Sequence, residues 1–365
     1  MNILLLSRYS RMGASSRYRF YQYLPFLKEA GINVTVSSFF DDAYLEQTYS
    51  NVHFSRWRFL PYFAKRIASL VSAKNYELIW VENEALPWLP DWIELIFLGT
   101  KVPYIVEYDD AIFHRYDLSK YPIVRAALGR KINRLMRHSA CVIAGNEYIA
   151  SRARMSGAKK VSIIPTVVDL DRYPSTPLTK KEAFTIGWIG TPKTAPYLRQ
   201  LQPALQRLCK DGDTVLQVVG VRDFQLEGVN ISSSPWSEDT EVELISGFDV
   251  GIMPLPNTPW EQGKCGLKLI QYLASSKPVV ASPVGVNKDI VLPGINGFLA
   301  ESTEDWIMSV ATLKEDSCLR KRMGTLGRQL VADKYSLRST CSELAKTLTG
   351  VVDHRPPPEE VFGGK

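Results

Sequence analysis

The stretch Trp260–Val280, WEQGKCGLKLIQYLASSKPVV, decides the fold. Gly263, Lys264, Cys265 and Gly266 make a flexible, positively charged loop, Leu267–Ala274 has the apolar spacing of a helix, and Pro278–Ala281 follows as a short strand. Loop, helix and strand in that order belong to a βαβ unit, and the same plan extends to either side. Upstream, Phe184–Ile189 reads as a strand, Gly190–Thr194 as a loop and Pro196–Leu208 as a helix, before strands Thr214–Val219 and Asp249–Met253. Downstream, after Gly294–Ala300, the pattern turns helical over Trp306–Leu313, Leu319–Asp333 and Leu337–Leu348.

The first half repeats the theme. Asn2–Leu6 is a short apolar run that reads as a strand, the polar loop Ser7–Ser16 carries Gly13, Tyr18–Ala30 has helical spacing ended by Gly31, and Ile32–Ser37 alternates like a strand. Leu78–Val81, Pro103–Val106, Cys141–Ala144 and Val161–Pro165 are further buried-strand candidates. Apolar strands separated by helices predict parallel sheets covered on both faces. The polar stretch Asp169–Lys181, DLDRYPSTPLTKK, holds two prolines and reads as a linker. The sequence thus predicts an α/β protein with two Rossmann-like, doubly wound parallel-sheet domains, residues 1–170 and 182–334, facing an interdomain cleft, with a flexible tail over 351–365.

Composition narrows the classes. With 365 residues, 45% hydrophobic and 22% charged, the chain is neither mainly disordered nor fibrous. No apolar run approaches the roughly 18–20 residues that span a bilayer; Trp92–Val106 is interrupted by Glu94 and Lys101. The opening MNILLLSRYSRMG has no basic segment ahead of its short apolar one, so it is not read as a secretion signal and a cytoplasmic protein is expected. Five scattered cysteines and four unclustered histidines give no disulfide scaffold and no metal site.

Charge is uneven. Residues 1–170 hold 22 Lys/Arg against 15 Asp/Glu, while the remainder is nearly balanced. Basic residues interleave with aromatic and aliphatic ones over 54–66 and 115–137. Such segments suit interfacial helices at the anionic inner face of the plasma membrane, amphipathic helices whose apolar stripe faces the core, or nucleic-acid contacts. No nucleic-acid module accompanies them, so that partner is not expected.

Three places carry chemistry. Gly187-Trp188-Ile189-Gly190-Thr191-Pro192-Lys193 lies at a strand-to-helix junction, where free N–H groups favour an anion such as a diphosphate, although a glycine there also serves close helix–sheet packing. Lys264 and Lys268 are four apart and share a face if the helix has begun at the first. Cations are ill placed at a helix N-terminus unless an anion compensates, the alternative being a solvated basic helix start. Glu107-Tyr108-Asp109-Asp110-Ala111-Ile112-Phe113-His114 follows a strand whose carboxyl end points into the cleft, so its acids can orient a hydroxyl, bind a metal or cap a helix. Arg17 and Arg19, after Ser15 and Ser16, can meet those acids or a bound anion.

These residues resemble the retaining glycosyltransferases of family 4, which have the two-domain GT-B architecture. The resemblance runs from Gly13-Ala14-Ser15-Ser16-Arg17-Tyr18-Arg19 through the Glu107–Phe113 block and Ile186–Gly190 to the segments GKCGLKLIQYLASSKPVVASPVGVN, GINGFLA and MGTLGRQLVADKYS, which look like bacterial members that build surface polysaccharides. It implies that the second domain binds a nucleoside diphosphate sugar, the first presents a glycan or lipid-linked glycan acceptor, and helix residues 335–350 cross back to the first domain. It implies no metal and no other cofactor.

On this basis Lys264 and Lys268 are expected to hold the leaving diphosphate, with Asp109, Asp110 and His114 orienting the acceptor or the transferred sugar. Gly190, Thr191, Lys193, Gly263, Cys265, Gly266, Leu267 and Gln271 are expected at the donor, and Gly13, Ser15, Ser16, Arg17 and Arg19 at the acceptor. The departing phosphate oxygen can itself take the acceptor proton, so no protein base is required. The sequence departs from the family where two glutamates eight apart are usual: those positions are Gly263 and Gln271, with Glu261 two residues off register. A sugar-nucleotide epimerase of the same fold and a catalytically weak sugar-nucleotide-binding subunit are the rival readings.

Overall fold

The computed structural model describes residues 1–49, 56–99, 102–173 and 183–353. Six strands build the first sheet: β1 (Asn2–Tyr9), β2 (Asn33–Phe40), β3 (Leu78–Glu82), β4 (Tyr104–Tyr108), β5 (Cys141–Ala144) and β6 (Val161–Ile163). Six more build the second: β7 (Phe184–Ile189), β8 (Thr214–Val219), β9 (Ile231–Ser234), β10 (Val250–Met253), β11 (Val279–Ala281) and β12 (Gly297–Leu299). The orders are β2-β1-β3-β4-β5-β6 and β12-β11-β10-β7-β8-β9, all parallel. Every residue of β3, β4, β5, β7 and β10 is buried, as expected when helices cover both faces. Each sheet starts in its middle and reverses direction, between β1 and β3 and between β7 and β10, and the carboxyl ends of the strands at such a reversal form the crevice where ligands sit.

Several local expectations are corrected. Tyr18–Ala30 is not one helix: a helix covers Ala14–Arg19, a 3-10 turn follows, and Leu24–Glu29 starts afresh with Pro25 in its first turn, where the missing N–H costs nothing. Pro196–Leu208 likewise divides into Pro196–Arg199 and Gln202–Leu208. The stretch 115–137 is three short helices, His114–Asp117, Pro122–Leu128 and Lys131–His138, of which the last turns Ile132, Leu135 and Met136 into the core. Helix Leu60–Ser72 buries Arg66 and Leu70 and leaves Leu60 and Val71 exposed. The final helix runs Leu337–Asp353, so residues 351–353 belong to it, while 354–365 and most of the linker 169–181 lie outside the described residues. Leu337, Leu344 and Leu348 of that helix pack with Ile3, Leu5, Phe20 and Tyr23 of the first sheet and its helices.

Candidate functional site

The loop after β1 and the helix Ala14–Arg19 are anchored from below. Glu82, at the end of β3, accepts from the Arg8 backbone N–H (2.6 Å), Ser15 Oγ (3.0 Å) and Ser16 Oγ (2.6 Å). Arg19 donates through Nε to Glu107 Oε1 (2.7 Å) and through Nη1 to the Ile164 carbonyl (2.9 Å), with both ionic groups buried. Arg17 reaches across the cleft to Glu241 (3.3 Å). Gly13 is buried against Tyr9. Of the five acceptor expectations, Ser16, Arg17 and Arg19 are therefore interior struts, with Arg17 Nε buried and unpartnered among the described residues, and Ser15 alone is half exposed.

Across the cleft, the loop Gly263–Gly266 docks on the first domain. The Asn146 side-chain amide donates to the Gly263 carbonyl (2.9 Å) and approaches Cys265 Sγ (3.4 Å), and burial pushes the Cys265 thiol up to about 12. Gly266 has φ of +70°, a left-handed conformation that glycine adopts without strain, and from it starts helix Leu267–Ala274. A Cβ at Gly263 would lie 2.4 Å from Ala111 Cβ and 2.7 Å from its backbone N. This contact explains the departure from the family pattern: no glutamate fits at 263 while the halves sit this close. Glu261 does not stand in at the cavity, since it is buried and accepts from Tyr197 OH (2.5 Å) and the Thr258 hydroxyl.

Lys264 Nζ bridges to both oxygens of Asp110 (3.0 and 3.1 Å) and lies over the Trp260 ring. Burial works against its charge, but Asp110 and the nearby Asp109 outweigh that and hold Lys264 above the ordinary lysine value. Lys268 stands over the Trp188 ring, and burial together with the Lys264 charge lowers it to about 8. Asp109 is raised to about 7 by burial and then by Asp110 and Glu82. The two acids and two lysines therefore meet across the cleft. His114 does not join them: Nδ1 pairs with Asp117 (2.8 Å) and Nε2 with Tyr148 OH (2.9 Å).

Beside this cluster is a cavity of about 530 Å³ at the carboxyl edge of the second sheet. Gly190, Thr191, Leu267, Lys268 and Gln271 line it, whereas Lys193 is exposed outside it, Gly263 and Cys265 serve the domain contact, and Gly266 packs toward Ile290 and Val286 of its own domain. Its far wall comes from Gly220, Arg222 and Trp236 after β8 and β9, and Met12, Ala14 and Tyr18 of the first domain close it.

Glu241 carries no signal in the sequence. Its buried carboxylate lines the cavity and accepts from Tyr18 OH (2.5 Å) and Trp236 Nε1 (2.8 Å), while Gln271 Nε2 donates to the same Tyr18 hydroxyl (3.0 Å). A carboxylate thus stands beside Gln271 after all, supplied by another helix. The site offers cations and the N–H groups at the start of helix Leu267–Ala274 for a diphosphate, with hydroxyl-binding groups beside them. The N–H groups expected to be free at the Gly190 loop are taken, Gly190 by the Val219 carbonyl (2.9 Å) and Thr191 by Thr194 Oγ1 (3.1 Å). Among the described residues no group of three or more His, Cys, Asp or Glu is placed to hold a metal ion.

Comparison with known proteins agrees with this arrangement. The profile of Glycosyltransferase Family 4 matches residues 19–172, and that of Glycosyl transferases group 1 matches residues 183–316. Curated protein sequences return no significant match. Among solved structures, HepE of Anabaena in complex with UDP-glucose is 16% identical with a TM-score of 0.73, covering 96% of this chain and 100% of that one. Sucrose-phosphate synthase of Thermosynechococcus elongatus is 15% identical with a TM-score of 0.74, covering 97% and 100%. WaaG, a glycosyltransferase involved in lipopolysaccharide biosynthesis, is 15% identical with a TM-score of 0.65, covering 96% and 100%. Those likenesses are of fold; the two profiles, one on each domain, carry the family. With its paired parallel sheets and the cleft between them, the chain belongs to glycosyltransferase family 4 and is a glycosyltransferase of GT-B architecture.

Proposed function

We propose that the chain moves a sugar from a nucleoside diphosphate sugar to a hydroxyl acceptor with retention of anomeric configuration, in the assembly of a cell-surface polysaccharide or glycolipid. The observation that carries this reading is the cavity where Gly190, Thr191, Leu267 and Lys268 converge, with Gln271 and Glu241 beside them. The diphosphate lies beside the Gly190–Thr191 loop, against the start of helix Leu267–Ala274 and Lys268, and the last two hold the charge that builds on the leaving group. Gln271 and Glu241 are placed to bind ribose hydroxyls. Lys264, at the seam, neutralises charge from the cleft side, and the half-buried Asp109 faces the acceptor. The departing phosphate oxygen takes the acceptor proton, and closure excludes water as a competing acceptor.

A panel of nucleoside diphosphate sugars tests the reading: the true donor raises the melting temperature by mass action and is consumed on adding acceptor. Consumption to an isomeric nucleotide sugar instead marks an epimerase, and binding without turnover marks a binding subunit.

We further propose that the enzyme works at the anionic inner face of the plasma membrane. Leu118, Tyr121 and Ile123 are exposed beside the exposed Lys120 and Arg125, and Trp92 and Ile96 are exposed on helix Asp91–Leu98. No described helix is long and apolar enough to cross a membrane. Co-flotation with anionic vesicles at low salt supports this placement; its absence removes it.

A further inference from the structure

The carboxyl edge of the first sheet holds a second group of charges that the transfer site does not use. Arg8 closes β1, Glu84 follows β3, and Arg115 lies on the short helix after β4, so three adjacent strands bring them to the edge that also presents Asp110 to Lys264. Arg8 Nη1 and Arg115 Nη1 approach the same oxygen, Glu84 Oε1, at 3.7 and 3.9 Å, beyond hydrogen-bond reach. That carboxylate is already taken: Tyr116 OH donates to both its oxygens (2.9 and 2.8 Å), and the wholly buried Lys131 pairs with it at 2.7 Å. Lys131 also pairs with Glu94 (2.5 Å) and donates to the Leu86 carbonyl (2.6 Å).

The two arginines are left with little. Arg8 Nε donates to Tyr9 OH (3.1 Å), but its Nη1 is buried without a hydrogen-bond partner among the described residues. Arg115 makes no side-chain hydrogen bond within the described residues, and its side chain remains 26% exposed. Burial and then the Arg8 charge pull Arg115 below the ordinary arginine value, the mark of two like charges held together. Glu84 attracts both arginines but lies too far to hydrogen-bond either fork, and guanidinium forks match the oxygens of a phosphate.

From this geometry we infer that Arg8 and Arg115 form an anion site for a phosphate group on the acceptor, next to the sugar-transfer centre. The inference rests on the proposal that the first domain presents the acceptor. It specifies that acceptor as a phosphorylated one, either a soluble sugar or polyol phosphate or a lipid-linked phosphate.

Calorimetric titration of the full chain tests it, with the donor cavity saturated by the nucleoside diphosphate of the best donor. Glycerol phosphate and geranyl phosphate are the two probes. At least one is expected to bind, and Arg115→Gln is expected to weaken it roughly tenfold, with partial recovery in Arg115→Lys and unchanged affinity for the nucleotide. Equal affinity for both probes assigns recognition to the phosphate alone; preference for the prenyl ester assigns a lipid carrier. Should Arg8→Gln misfold, Arg115→Gln decides, since the partly exposed Arg115 side chain makes no side-chain hydrogen bond among the described residues and meets Glu84 only at 3.9 Å. The same probes titrated into Lys268→Met without nucleotide read the arginine pair independently of donor binding, so failure of the donor reading is told apart. Binding of neither probe, or an Arg115→Gln variant that binds as tightly as the parent, overturns the inference.

Discussion

Lys268 allows a quantitative test of where the diphosphate lies. Its ammonium is lowered to about 8 by burial and by Lys264, and a bound diphosphate reverses that penalty. The charged form that binds the anion is lost as pH rises through 8: about nine-tenths of the free enzyme carries it at pH 7 and roughly one-tenth at pH 9. The Kd for the nucleoside diphosphate is therefore expected to rise about tenfold between pH 7 and pH 9, most of it above pH 8. Other titrations do not imitate this slope. The terminal phosphate ionises near pH 6, Lys264 is held above the ordinary lysine value by Asp110, and Asp109, at about 7, is largely ionised by pH 8. Calorimetry in two buffers of different ionisation enthalpy should also show net proton uptake on binding at pH 8.5. Lys268→Met should weaken binding at pH 7 by about 10- to 100-fold, the value of a charge-assisted hydrogen bond, and abolish the slope. A Kd that stays flat from pH 7 to 9, or a slope that survives in Lys268→Met, refutes the placement of the diphosphate against this side chain.

Lys264→Ala should lower turnover at least about a hundredfold while the protein stays folded; single-turnover rates near those of the parent remove Lys264 from the chemistry. Gly263→Ala inserts a methyl group where Ala111 stands 2.4 Å away, so the seam should part, seen as a larger radius of gyration in solution scattering and a weaker donor Kd; unchanged values count against the tight seam. Arg19→Met leaves Glu107 buried without its cation and should destabilise the fold by about 3–5 kcal/mol in chemical denaturation, with recovery in Arg19→Met/Glu107→Leu. A loss under about 1 kcal/mol would contradict the strut role.

Strands such as Phe184–Ile189 and Cys141–Ala144 are legible because burial on both faces demands mainly apolar, β-favouring runs, broken in the first only by Thr185 and Gly187. β9, with the sequence ISSS, is an edge strand with exposed serines and carries no such mark. Within the site, Lys268, Gln271 and the Gly190 loop follow from local spacing around one helix start. Glu241 does not: its partner Tyr18 is 223 residues away, and only the closed cleft brings them together. Lys131 shows the same limit in reverse. It sits in a basic run that reads as a solvated or interfacial face, yet Glu84 and Glu94 enclose it completely. A charge pattern along the chain reports how many ions must be placed, and folding alone decides which of them meet.

The polypeptide leaves the first sheet after Ile163 and passes back toward it at Ser336, and the two passages are stitched where Val168 N–H bonds the Tyr335 carbonyl (3.0 Å) and Leu337 N–H bonds the Val168 carbonyl (2.9 Å). A joint pinned twice resists twisting, so any opening of the cleft turns about this line like a book about its spine. Displacement then grows with distance from that line. The pages part furthest along their outer margins, and a bulky acceptor needs only a small angular excursion near the spine to enter.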